Sequence, residues 1–433
     1  MYTCIMLGQQ KFQTFSLRKP QALGGSVLRV LSASFDALEP GAAVKKYLRG
    51  NPIPSASHVF ALGLGKAACA MTQAAADEMS LTDTLVITKH ASPLTFEPVM
   101  VIEGNHPVPG EDSLLAGRAA LKFVSQLTAD DLLLCLISGG GSALMTAPYV
   151  ALADLQSLTF ALLSCGARIE EINTIRRHLD QLKGGGLARH VNGACILSMI
   201  LSDVVDDSLE AIASGPTAPD PTTQADALVI LEKYNLKNKT PDLITQSFRE
   251  TLKPNDPIFG RVQNILIGSN KTGLLAAQDQ AEKEGFQTKI IQTGIQGEAS
   301  LVGFELASRF KDSLDSIQRP FCLLAGGETT VTLIGNGKGG RNQELALAAV
   351  DILADLDNVL FVSLATDGED GTTDAAGAVV TGDSAKRAEL LGMSATDYLS
   401  RNDAYSFFDA LDDLVKIGPS GTNVNDLIFC FAF

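Results

Sequence analysis

Lysine, arginine, aspartate and runs of glycine recur at the ends of apolar segments in this 433-residue chain, and together they are the ingredients of phosphate chemistry. Lys66 lies inside Gly63-Leu64-Gly65-Lys66-Ala67-Ala68, directly after an apolar run from His58 to Leu62. Ser138-Gly139-Gly140-Gly141-Ser142 closes the fully apolar run 132–137, and glycine amides flanked by hydroxyls at a strand's carboxyl end form a phosphate cradle. Lys183 precedes Gly184-Gly185-Gly186 and is a further candidate substrate contact. Asp203 follows the apolar run 194–201, where a carboxylate can hold Mg²⁺ together with phosphate oxygens, and it and Asp367 are candidates for that ion or for the base. The stretch 323–347 reads as strand, glycine turn, second strand, glycine turn and helix. There Gly339-Gly340-Arg341 opens the helix, and helix-start amides plus a planar guanidinium make an anion site. Glu328, Asn342 and Glu344 alternate with those glycines as candidate ligand contacts. Asp367 follows the apolar run 359–364, in a loop whose carboxylates suit a cation, a sugar hydroxyl or simple hydration.

Each feature alone has a plain alternative. Glycines serve turns, Lys66 could be a solvated lysine at a helix start, and Asp206 and Asp207 could only hydrate their loop. The set is more telling than its members. It contains no Ser-His-Asp combination, no metal-binding histidine pair and no nucleophilic cysteine context. Phosphoryl transfer needs positioning, charge neutralisation and Mg²⁺ more than a protein nucleophile, so it fits best. Neither a Walker A pattern nor the protein-kinase set occurs, so the cradle is of another design. The GxGxxA outline at 63–68 also suggests a dinucleotide turn and hence a reductase. Against that, the following strand ends in Lys89-His90 where a ribose-binding carboxylate is required. His106, between Asn105 and Pro107, is either an acid–base group or a histidine that stiffens its loop by hydrogen bonding.

The elements that position these residues alternate between β and α. Helical spacing marks 25–48, 111–127, 152–163, 169–182, 222–234, 272–284 and 301–310. Short apolar runs at 58–62, 84–88, 99–103, 132–137, 194–201, 264–267, 289–292, 359–364 and 427–433 read as strands. The polar segment 235–257 is the best linker, so a first domain is expected over 21–260 and a second over 261–433. In open parallel sheets ligands sit beyond the carboxyl ends of strands, which places the expected active site in an interdomain cleft. The formal charge of −15 argues against nucleic acid or an anionic membrane as partner, and no apolar run is long enough to span a bilayer. Seven scattered cysteines without a CxxC pair fit buried thiols in a reducing compartment. The cytoplasm is the default location. Residues 1–35 lack Asp and Glu and carry Lys11, Arg18, Lys19 and Arg29, which leaves a mitochondrial transit segment as an alternative.

The ordered motifs GLGKAA (63–68), GNHPVPG (104–110), LISGGGSAL (136–144), EINTIRRHLDQLKGGGLA (171–188), LSDVVDDSLEAIASGPT (201–217), GGETTVTLIGNGKGGRNQELAL (326–347), ATDGEDGTTDAAGA (365–378) and GPSGTNVNDL (418–427) resemble the class II glycerate kinases. The likeness runs from about residue 25 to the end of the chain. It implies an N-terminal Rossmann-like α/β/α sandwich and a smaller C-terminal α/β domain of the MOFRL type. It further implies phosphorylation of D-glycerate at the 2-hydroxyl by ATP with Mg²⁺, with Lys66 matching the family lysine of substrate binding and catalysis and Arg341 the arginine of phosphoryl transfer. Asp206 and Glu369 depart from the family pattern. Hydroxypyruvate reductase, 3-phosphorylation and a non-catalytic nucleotide or glycerate sensor stand as alternatives, and a homodimer is left open.

Overall fold

The computed structural model describes residues 12, 14–18, 24–237 and 241–433. Cys4, Lys11, Lys19, the expected domain start at residue 21 and positions 238–240 of the linker lie outside these. By internal contacts the chain divides into two compact units, 40–267 and the combination of residues up to Glu39 with 268–433.

The unit 40–267 is built on a six-stranded sheet: β1 (Val59–Leu64), β2 (Asp83–Thr88), β3 (Met100–Glu103), β4 (Leu132–Ile137), β5 (Cys195–Leu201) and β6 (Val262–Gly268), in the order β3-β2-β1-β4-β5-β6. β1 pairs in parallel with β2 and β4, β2 with β3, and β4 with β5. β4 is Leu-Leu-Leu-Cys-Leu-Ile and every residue is buried, as a central parallel strand covered on both faces requires. This order brings the carboxyl ends of β1, β4 and β5 side by side, and with them the loops carrying Lys66, Ser138 and Asp203. β6, which local pattern alone assigned to the second domain, is the edge strand here. Asn264 holds it there, donating from Nδ2 to the Thr217 carbonyl (2.9 Å) and accepting from the Thr217 hydroxyl (2.8 Å).

The second unit carries a mixed sheet: β7 (Gln287–Ile295), β8 (Phe321–Gly327), β9 (Val359–Ala365), β10 (Gly377–Thr381), β11 (Leu414–Val415) and β12 (Asp426–Ala432), ordered β11-β10-β9-β12-β8-β7. Only β7 and β8 pair in parallel among the pairs described, so the open parallel sheet assumed from sequence is replaced by a largely antiparallel one. β12 runs antiparallel between β8 and β9, with Asp426 opposite both Gly327 and Ala365. The carboxyl ends of β8 and β9 therefore flank the amino end of β12. The second strand expected after β8 does not form. Segment 328–340 makes a single bridge, Thr330 to Glu298, because side chains take its amides: Asn402 Oδ1 accepts from Ile334 and Gly335 (2.8 and 2.9 Å) and Glu298 from Thr332 (3.0 Å).

The N-terminal segment belongs to this second unit. Phe12 packs edge-on against Phe35, and Ser16 N donates to Asp413 Oδ1. The helix Gly24–Asp36 lies against the helix Asn270–Lys283. Cys69, Cys135, Cys322 and Cys430 are buried free thiols, Cys195 is half-buried, and Cys165 is exposed.

Candidate active site

Glycine makes the first constellation possible. Gly65 has a left-handed φ of +118°, and a methyl group there would lie 2.3 Å from the Ser138 carbonyl oxygen, so the turn after β1 rests directly on the end of β4. Two hydrogen bonds lock the contact: Lys66 N donates to the Gly139 carbonyl (3.0 Å) and Ala67 N to Ser138 Oγ (3.0 Å). Ser138 is buried and joins the two strand ends. Gly140 is left-handed (φ +86°) and reverses the chain into the short helix Gly141–Leu144. A methyl on Gly139 would lie 2.1 Å from Asp203 Oδ2, so the carboxylate after β5 packs against this loop from behind. Ser142 Oγ meets Ser214 Oγ at 2.8 Å, tying the loop to the strained segment Ala213-Ser214, whose φ values are +51° and +60°.

Lys66 itself is exposed, and its ammonium has no hydrogen-bond or ion-pair partner among the described residues. Asp203 is the mirror case. Burial raises its pKa above the usual carboxylate value, and its own amide, the Lys66 charge and the Gly140 amide oppose that only in part. A shielded carboxylate beside a glycine loop, with no cation bonded to it among the described residues, has the donor chemistry that Mg²⁺ takes alongside phosphate oxygens. No group of three or more His, Cys, Asp or Glu suited to a metal occurs among the described residues, so protein alone would not complete a coordination shell.

Lys183 differs from Lys66 in every respect that matters. It is 4% exposed, donates from Nζ to the Met145 carbonyl (2.8 Å) and pairs with Asp180 Oδ2 (2.9 Å). Asp180 Oδ2 also accepts from Thr146 Oγ1 (2.5 Å) and Ala147 N (3.1 Å). Burial lowers the lysine's pKa while Asp180 pulls it back up. The ammonium thus fastens 145–147 to the glycine run, whose Gly184 and Gly185 amides bond to the Ser214 and Gly215 carbonyls.

The second constellation lies in the other unit, where the strand register gathers carboxylates around Arg341. Its guanidinium makes a fork with Asp426, Nε to Oδ2 at 2.6 Å and Nη2 to Oδ1 at 2.9 Å, and Nη1 stands 3.2 Å from Glu328 Oε1. Burial alone would lower the arginine's pKa, but these carboxylates raise it. The anion at the start of the helix Arg341–Ala349 is the protein's own: Asp370 accepts from the amides of Asn342 (3.1 Å) and Gln343 (2.9 Å). A methyl on Gly340 would lie 2.3 Å from Asp370 Cγ, so glycine is required for that approach. Burial outweighs the helix amides and lifts Asp370 to about 6. Asn342 is fully buried and accepts from Ser363 Oγ (2.7 Å). Glu344 accepts from Asn402 (3.0 Å), the residue that also holds the 334–335 amides. Asp367 is half-buried, accepts from the Glu369 amide (3.2 Å) and raises the pKa of Asp426.

Of the residues singled out from sequence, Lys66, Ser138–Ser142 and Asp203 therefore meet in one unit, with Lys183 beneath them. Arg341, Asn342, Glu344, Glu328 and Asp367 gather in the other. Asp180, Asp370, Asn402 and Asp426 were missed as partners. Asp426 lay in plain view at the start of the last apolar run, but only strand order places it beside Arg341.

Comparison with known proteins identifies the family of both parts of the chain. Residues 26–249 match a family model described as a domain of unknown function, DUF4147, and residues 321–426 match the MOFRL family. The D-glycerate 2-kinase of Thermotoga maritima is 39% identical over 420 residues, covering 94% of this chain and 98% of that protein. The glycerate 2-kinase of Pyrococcus horikoshii is 38% identical over 424 residues, covering 93% and 95%. A crystal structure of glycerate kinase from Thermotoga maritima superposes with a TM-score of 0.88 over 96% of this chain and all of that one, at 39% identity.

Proposed function

The chain belongs to the glycerate kinase family with a C-terminal MOFRL domain, and from that premise we propose that it phosphorylates D-glycerate at the 2-hydroxyl with ATP, giving 2-phospho-D-glycerate and ADP. One observation carries the chemical part of this reading: Lys66 presents an unpartnered ammonium at the rim of a glycine loop that is packed too tightly to serve as a mere turn. An ammonium so placed clamps an anion, the glycerate carboxylate or the moving phosphoryl group. At the start of the helix Gly141–Leu144 the Ala143 and Leu144 amides donate to the Gly140 carbonyl, which leaves those of Gly141 and Ser142 to donate to phosphate oxygens. Ser138 shapes the cradle from below and Ser142 from its far side.

Asp203 is the carboxylate suited to hold Mg²⁺, with Asp367 the second candidate. The ion, when bound, neutralises phosphate charge. Arg341 stabilises charge that develops during transfer, and Asp426 and Glu328 fix the plane of its guanidinium. Asn342, Glu344 and Lys183 support this reading indirectly, since their polar atoms hold the loops in shape. A cytoplasmic location completes the reading, and no helix among the described residues is long and apolar enough to cross a membrane.

Steady-state kinetics test the assignment. Lys66→Ala and Arg341→Ala should each lower kcat by roughly 10²–10³, the effect of removing one charged donor from a transition state, with an unchanged circular dichroism spectrum. A near-normal kcat in either variant would remove that residue from the mechanism.

A further inference from the structure

The cradle has a third side that the proposed roles leave unused. His106, in the loop after β3, lies against Gly140: a methyl on that glycine would be 3.4 Å from His106 Cδ2, 3.5 Å from His106 Nε2 and 3.4 Å from Lys66 Cγ. The imidazole and the lysine stem therefore flank the same glycine Cα, from different loops. The ring is half-buried, and neither of its nitrogens has a hydrogen-bond partner among the described residues. A histidine that merely stiffened its loop would spend at least one nitrogen on that loop. Here the stiffening is done by Asn105 and Ser113 instead: Asn105 N donates to Ser113 Oγ (2.9 Å) and the Asp112 amide to Asn105 Oδ1 (3.1 Å).

We propose that His106 is the general base of the reaction, taking the proton of the substrate hydroxyl as that oxygen attacks the γ-phosphorus. The proposal rests on the kinase reading of the Lys66 cradle. The new bond joins the glycerate 2-oxygen to the γ-phosphorus. The bond from the γ-phosphorus to the β–γ bridging oxygen breaks, and ADP leaves with that electron pair. The hydroxyl proton passes to the free imidazole nitrogen and later to solvent. The other charged groups around the ring cannot take this part. Lys66 and Lys89 are cations, and the Asp203 carboxylate, packed against Gly139, already takes the Gly140 amide. Burial first, then the charges of Lys66 and Lys89, hold the imidazole below its ordinary 6.5, so it is neutral and able to accept a proton at pH 7.

The test measures ADP release from D-glycerate and Mg²⁺-ATP between pH 5 and 9 for the wild type, His106→Asn, His106→Gln and His106→Ala, the last with and without added imidazole. Removal of the base should lower kcat by about 10²-fold or more, move the glycerate KM by less than about threefold, and abolish the acid limb of the profile. Imidazole should restore rate to the alanine variant, which loss of a structural residue would not permit. Rates within about threefold of wild type, a loss confined to KM, or an acid limb that persists in the folded variants would overturn the assignment. Circular dichroism shows which variants are folded, and either Asn or Gln suffices. Lys66→Ala is run alongside. Full activity there would mean that the cradle is not the site, whereas a dead Lys66→Ala beside a fully active His106→Asn would reject His106 alone.

Discussion

Lys66 and Lys183 look alike on paper, each a lysine in a glycine-rich turn, and the structure gives them opposite work. Lys66 keeps its charge in solvent with nothing bound to it, while Lys183 is buried against Asp180 and a carbonyl. The free one is available to a ligand and the buried one is not. Removing Lys183 would strand the Asp180 carboxylate as an uncompensated buried charge, which costs about 3–5 kcal/mol. Lys183→Ala should therefore show a clear fall in the denaturation midpoint, whereas Lys66→Ala, an exposed change, should stay within about 0.5 kcal/mol of wild type. The reverse ordering in a urea titration would contradict this division of labour between the two lysines. The sequence did contain the pair Asp180 and Lys183, three apart on one turn. Nothing local distinguished a solvated pair from a buried one, because burial is decided by the loops that close over it.

Strand order explains the acidic pocket in the second unit. β12 enters antiparallel between the carboxyl ends of β8 and β9, so its first residue, Asp426, meets the loops that carry Glu328 and Asp367, and Arg341 balances the cluster. The residues were legible in sequence, but their assembly was not, since a parallel sheet was assumed and antiparallel insertion of the last strand leaves no periodic trace. The helix starting at Arg341 was foreseen as an anion site. In the structure Asp370 takes the Asn342 and Gln343 amides there, so those amides serve the protein's own carboxylate. That has a measurable consequence. Asp370 moves from an ordinary 3.8 when unfolded to about 6 when folded. The folded state thus binds more protons in this window, and the contribution is fully present below 3.8 and lost as the pH rises through about 6. The loss is on the order of 3 kcal/mol. Asp370→Asn should flatten that part of the stability–pH curve. An identical decline in wild type and variant would show that Asp370 is not its source.

On the scale of the whole chain, composition and periodicity were enough to anticipate two α/β units and most strands of the first sheet. β4 shows why: a run buried on both faces announces itself by being apolar throughout. The N-terminal residues show the opposite. Their pattern placed the first helix at the start of the first domain, yet the helix Gly24–Asp36 packs against Asn270–Lys283 and Ser16 N bonds to Asp413, contacts no local spacing can report. Function was legible because phosphoryl transfer uses few residue types, each at the end of a strand, and the ordered motifs are long. Regiochemistry was not read from spacing, since both hydroxyls of glycerate lie within a small shift of one carboxylate clamp. The most direct measurement is therefore made on the product. Purified protein is incubated with D-glycerate and Mg²⁺-ATP, the phosphate position is assigned by ³¹P and ¹H NMR, and NADH with hydroxypyruvate is run in parallel. Phosphate on the 2-oxygen with stoichiometric ADP is the predicted result; phosphate on the 3-oxygen, or NADH oxidation without ADP, would contradict the account.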